Sequence, residues 1–95
     1  MSNNIGTKSI AAENTYMDAI TLKKGGFNLS LSGTWVATVY VQRKFNYDDT
    51  TWMDVESFTS NGEYSGYEYE DDVQYRVGVK TSGYTSGTVL ARISQ

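Results

Sequence analysis

Residues 34–45 of this chain read TWVATVYVQRKF, its longest run of β-forming residues, and their alternation narrows the choice of fold at once. On a pleated strand Trp35, Ala37, Val39, Val41 and Phe45 fall on one side, while Thr34, Val36, Thr38, Tyr40, Gln42 and Lys44 fall on the other. One side is core and the other mostly solvent. A strand of this kind needs neighbours along its edges and a second layer over its apolar side.

The flanking sequence offers both. Residues 16–22 read as a first strand, with Tyr16, Ile20 and Leu22 available to one face and Lys23, Lys24, Gly25 and Gly26 as the turn that follows. Phe27, Leu29 and Leu31 alternate with Asn28, Ser30 and Ser32 in a second strand, which Ser32 and Gly33 bring to an end. Beyond Phe45, residues 46–51 are turn formers, because asparagine and aspartate bond their own backbone and tolerate left-handed geometry. Residues 52–59 then return as the hairpin partner. Met53 and Val55 share one face there while Trp52 and Phe58 take the other, so a β-bulge or twist is expected near Glu56.

Asn61 and Gly62 mark the next turn, and residues 63–72 (EYSGYEYEDD) are too poor in aliphatic side chains for more than a short edge strand at 63–69. Val73, Tyr75, Val77 and Val79 alternate with polar neighbours, and a loop at 81–87 (TSGYTSG) separates them from Val89, Ala91 and Ile93, predicting a second hairpin. No stretch carries sustained helical period. The expectation is an all-β domain over residues 15–95, a single small β-sandwich of immunoglobulin-like, fibronectin-like or jelly-roll-like kind with about seven antiparallel strands. Residues 1–14, polar and without period, read as a flexible N-terminal arm that stays disordered or orders only against a neighbouring molecule.

Chemistry is limited by what is missing. The 95 residues include no cysteine and no histidine, which removes disulfides, thiolate metal sites and imidazole catalysis together. The lack of cysteine suits folding in a reducing cytoplasm. Serine and threonine are abundant but have no familiar activating base, and so short a sandwich has no long loops to build a cleft around two carboxylates. The expectation is a protein that is not an enzyme and carries no cofactor. No apolar run approaches the roughly 20 residues that span a bilayer, and the first residues lack a signal-peptide pattern, so no membrane partner is expected.

Charge is distributed unevenly. Between residues 45 and 75 there is no lysine or arginine, yet Asp48, Asp49, Asp54, Glu56, Glu63, Glu68, Glu70, Asp71 and Asp72 lie there, nine of the eleven acidic residues. Such a segment repels a phosphate backbone, so no nucleic-acid partner is expected. Glu68 to Asp72 with Asp48 and Asp49 could offer oxygens to calcium, but the spacing of an EF-hand is absent and a charged edge that discourages strand pairing explains the run. Residues 44–52 (KFNYDDTTW) approach the aspartate box of sialidase-like propellers only at Thr51 and Trp52; Phe45, Tyr47 and Asp49 occupy the positions of its serine, aspartate and glycine. Tyr47, Tyr64, Tyr67, Tyr69 and Tyr84 are more informative. All lie in turn or edge segments among Ser, Gly, Asn, Asp and Glu, the composition either of a partner-binding surface or of a rim folded back on the sandwich.

From about Leu29 to Gln95 the order of features, SGTWVATVYVQRKFNYDDTTWMDVESFTSNGEY, then VQYRVGVK, then SGYTSGTVLARISQ, resembles small β-sandwich virion structural proteins of tailed bacteriophages. That resemblance implies a capsid decoration or cement protein, located in the virion after assembly in the host cytoplasm. Its partners would be the major capsid protein or other virion proteins, with self-association. It leaves two alternatives, an accessory domain of tail, neck or fibre, and a carbohydrate-binding module whose Tyr67, Tyr69, Tyr84 or Trp52 stack on sugar rings.

Overall fold

Apolar residues occupy odd positions from Phe27 to Val41, interrupted only at Gly33, and do so again at 73–79 and 89–93, so each run can bury one face. The computed structural model, which describes residues 5–45 and 51–95, makes the first run one long strand and joins the other two into a second. In chain order the strands are β1 (Ile5–Ile10), β2 (Thr15–Tyr16), β3 (Ile20–Leu22), β4 (Gly25–Phe45), β5 (Met53–Phe58), β6 (Gly62–Glu68) and β7 (Val73–Ser94).

β4 and β7 pair antiparallel almost end to end, from Asn28 opposite Ser94 to Phe45 opposite Val73. Their outer edges take different neighbours in each half. In one half β6 lies on β4 (Leu29 opposite Tyr64) and β1 lies on β7 (Ile10 opposite Val89). In the other β5 lies on β4 (Val39 opposite Phe58), while β2 and β3 lie on β7 (Tyr16 opposite Gly78, Ile20 opposite Tyr75). The halves fold over one another as the two layers of a small sandwich, and the seven antiparallel strands form one continuous sheet. Leu29, Leu31, Val89, Ala91 and Ile93 of the first layer meet Leu22, Val39, Val41, Val73, Val77 and Val79 of the second in a single core.

The fold line explains why two stretches of turn-like composition are not turns. Gly33 (φ 97°) and Gly87 (φ 86°) sit on adjacent strands two residue pairs apart, both in backbone conformations that side chains rarely adopt. A Cβ on Gly33 would lie 2.5 Å from the Thr88 carbonyl oxygen, and one on Gly87 would collide with the Thr34 carbonyl. Just beyond, residues 80–83 of β7 stand opposite Thr38 alone, a large bulge that lengthens the outer path around the corner. Gly33 therefore bends a strand and does not end one, and residues 81–87 are a corner within β7, not the loop of a second hairpin.

Two further expectations need correction. Residues 5–10 do not form an arm: they are β1, paired with β7 over its whole length, with Ile10 fully buried. Gly6 and Ile10 point inward, a sparse apolar pattern hidden among small polar residues. The segment 16–22 is two short strands; between them Met17 turns into the core and its amide donates to the Val77 carbonyl at 2.9 Å. The bulge expected near Glu56 is present, since Val41 faces Glu56 and Gln42 faces Asp54, leaving Val55 as the extra residue.

Gly87→Ala should lower the stability of the domain by about 2–3 kcal/mol in urea titrations, since strain at positive φ adds to the clash with Thr34. Removing residues 1–10 should abolish cooperative thermal unfolding, and Ile10→Ala alone should cost about 3 kcal/mol, or roughly 12–20 °C in Tm. An unchanged melting curve after the truncation would restore the arm.

Candidate interaction surface

The acidic segment of the sequence is sorted by the fold into carboxylates that hold the layers together and carboxylates left facing outward. On β6 the register with β4 turns Tyr64, Gly66 and Glu68 inward, and Glu68 is almost fully buried. Its Oε1 accepts from the Tyr75 hydroxyl at 2.7 Å and from Arg43 Nη1 at 3.1 Å; Oε2 accepts from the Glu70 amide at 2.9 Å. Burial pushes the carboxyl up, but the Tyr75 hydrogen bond, the Glu70 amide and the Arg43 charge together hold it below the usual carboxylate range. Tyr75, buried and packed against the Phe27 ring at 5.1 Å, is pushed up to about 12 by burial and by the Glu68 carboxylate. Among the described residues no buried side-chain polar atom lacks a partner. Glu68 ends β6 in one layer while Arg43 and Tyr75 belong to the other, so the cluster is a latch between layers.

On the outer face of the second layer the described cations are engaged. Lys80 pairs with Asp54 at 2.5 Å and lies 4.2 Å from the centre of the Tyr40 ring. Asp54 also accepts from Gln42 at 2.9 Å; hydrogen bonds from Lys80 and then Gln42 hold it below the ordinary range. Gln42 in turn accepts from Arg76 Nε at 2.8 Å. The Arg76 guanidinium is covered by Tyr16 and Trp52, 3.9 and 4.3 Å from the ring centres, and Lys44 approaches Trp52 from 5.0 Å. Asp72 is bridged to Lys23, and Asp71 accepts from the Lys24 amide. Glu56 and Glu70 are left with no cation among the described residues.

The five tyrosines separate into two kinds. Tyr64 is half-buried, its ring 4.1 Å from that of Phe58 and its hydroxyl donating to the Ser60 carbonyl at 3.1 Å. Tyr84 is also half-buried and donates to the Gly87 carbonyl at 2.8 Å, bracing the corner. Tyr67 and Tyr69, 50% and 77% exposed, form a pair at the end of β6 with ring centres 4.7 Å apart and planes tilted by 58°. Tyr47 lies outside the described residues, as do Asp48 and Asp49. Sequence reasoning misses the Arg43–Glu68–Tyr75 latch altogether. Its only sequence signal is that Tyr64, Gly66 and Glu68 share one parity, which means nothing until β6 is registered on β4.

Neither β5 nor β6 pairs with the other, so the layers part along a seam on this side. Phe58 and Tyr64 close one end and the Arg43–Glu68 pair the other. Between them lies a cleft of about 140 Å³ lined by Phe27, Leu29, Val41, Val55, Phe58 and Tyr64, with Glu56, Ser65 and Gly66 at its edge. A shallower hollow at the corner is lined by Trp35, Val36, Thr38, Thr59, Ser82 and Thr85, with no charged side chain among the described residues that line it. No family model, curated protein or solved structure matches this chain.

Glu68→Gln should destabilise the fold by about 2–4 kcal/mol, toward the low end because Arg43 keeps a third of its surface in water. The folded pKa values of Glu68 and Asp54 are depressed, so their contribution is fully present above about pH 4–5 and is lost as pH falls through the folded values. Tyr75 is raised, so its contribution is lost as pH climbs from about 10 toward 12. Melting temperature followed against pH should therefore fall at both extremes, and Glu68→Gln should flatten the acid limb.

Proposed function

We propose that this chain is a non-enzymatic structural protein of a tailed-bacteriophage virion, acting as a capsid decoration protein that seats on the assembled head through its exposed tyrosine pair. The observation that carries the reading is the placing of Tyr67 and Tyr69. Two large amphipathic rings stand clear of the fold at the end of a strand anchored by the Glu68 latch, so they present contact area with little rotamer entropy left to lose. Glu70 beside them carries no cation among the described residues and would confer a preference for a basic patch. The resemblance over residues 29–95 supports the same reading.

The mechanism is mass action. A protein that binds the assembled shell and not its separated subunits stabilises the shell, and modest contacts repeated over a lattice hold as a set. The major capsid protein or another virion protein is the partner, and self-association between neighbouring copies adds to the effect. Support for a sugar-stacking platform is weaker, because the Tyr67 and Tyr69 rings are not coplanar and both Arg76 and Lys44 stand over Trp52.

Antibody–gold labelling of intact particles should place this protein over the head. Tyr67→Ala with Tyr69→Ala should leave the isolated domain's Tm nearly unchanged and reduce particle occupancy by about tenfold or more. Label confined to tail or neck would replace the decoration role with an accessory one. Label on no particle would sink the virion reading.

A further inference from the structure

β5 is the least protected strand of the fold. Among the described residues it is paired on one edge only, five of its six residues are exposed, Met53 and Val55 are 40% and 45% exposed, and Val55 lines the apolar cleft of the seam. A strand edge left in this state is a template for another strand. The cleft, about 140 Å³ and walled by Phe27, Leu29, Val41 and Phe58, matches one aliphatic side chain or a benzene-sized group.

Charge selects the occupant. Glu56 borders the cleft and Glu70 follows it at the Glu68 end. The cations nearest in the fold are already engaged: Arg43 by Glu68, Lys80 by Asp54, and Arg76 by Gln42 and two aromatic rings. A second copy of β5 would bring Asp54 and Glu56 against the same residues, and like charges directly opposite one another destabilise a strand pair.

We propose that the free edge of β5 accepts an added strand from a partner protein: an extended basic segment whose cleft-facing side carries one aliphatic residue flanked by Lys or Arg. Backbone hydrogen bonds hold the segment to β5, the aliphatic side chain enters the cleft, and the cations two residues to either side of it, on the same face of the strand, meet Glu56 and Glu70. This docking site is separate from the Tyr67–Tyr69 pair and stands without the virion reading.

The test uses three capped peptides of about eight residues, one strand's length, with Ser at every second position and, on the other face, Lys around a central Leu (Lys–Leu), Lys around a central Ser (Lys–Ser), or Glu around a central Leu (Glu–Leu). Calorimetric titration and amide NMR should show Lys–Leu binding about tenfold or more tighter than either of the others, with shifts centred on residues 53–58. Glu56→Lys, at an exposed position and with its fold checked by its melting curve, should weaken Lys–Leu by about fivefold and strengthen Glu–Leu. Equal binding of Lys–Ser and Lys–Leu would reduce the effect to bulk charge and overturn the proposal. So would shifts centred away from β5, or no binding of Lys–Leu.

Discussion

The continuity of β4 and β7 through a shared bend is the constraint on which the remaining structure depends. Two separate sheets in a chain of 95 residues would need loops to link them, and each loop would have to be ordered without adding core. Here two strands pass through both layers and keep their backbone hydrogen bonds as they go, so the corner is itself built of paired strands. That is possible only where both strands can turn at nearly the same level, and Gly33 and Gly87 provide this, each removing a Cβ that would strike the carbonyl of the strand beside it. Asn61, from the turn after β5, fixes the bend from outside by donating to the Gly33 carbonyl at 2.8 Å and accepting from Trp35 Nε1 at 2.6 Å. Its two bonds tie the β5–β6 connection to the same corner.

A sheet folded in this way has two lateral sides. On the β7 side the chain passes from β1 in one layer to β2 in the other. On the β4 side the crossing is the short turn between β5 and β6, and those two strands part beyond it. Hydrophobic contact closes the seam where Phe58 meets Tyr64, and a charged cluster closes it where Glu68 meets Arg43 and Tyr75. A buried ion pair contributes little net stability against a well-packed apolar substitute. What this one supplies is position: it admits a single register between the end of β6 and the second layer, because any slip by one residue would turn Glu68 to solvent and leave Arg43 and Tyr75 without their acceptor.

Much of this architecture is legible in the order of residues alone. The alternating runs at 34–45, 73–79 and 89–93 identify the inward residues correctly, and the mixed pattern of residues 52–59 predicts the bulge seen at Val55. What misleads is local chemistry overruled by pairing. Ser32–Gly33 and TSGYTSG have turn composition, and a turn is what they would form alone; opposed across a strand pair, their glycines bend both strands without breaking them. Residues 5–10 mislead for the opposite reason, since two inward positions, one of them a glycine, are too little pattern to announce a strand. The tyrosines are legible as a class and not as individuals. Tyr64 and Tyr84 find backbone acceptors and fold back, whereas Tyr67 and Tyr69 follow Gly66 on the outward side at the end of β6, and composition does not distinguish these outcomes.

The distribution of charge follows from the same geometry. Basic residues of the second layer come from strands whose outer faces carry Tyr16, Tyr40 and Trp52, so their cations lie against rings or pair with Asp54. Acidic residues come from β5, β6 and the segment after β6, which are edges by topology. A formal net charge of −3 therefore understates how acidic the exposed seam is, because the second layer's cations are committed to rings and to Asp54 and Glu68. An acidic, partly apolar edge resists pairing with its own copies and remains open to a strand of opposite charge. Charge segregation that opposes edge-to-edge pairing of like strands would, on the strand-addition proposal, also select the partner.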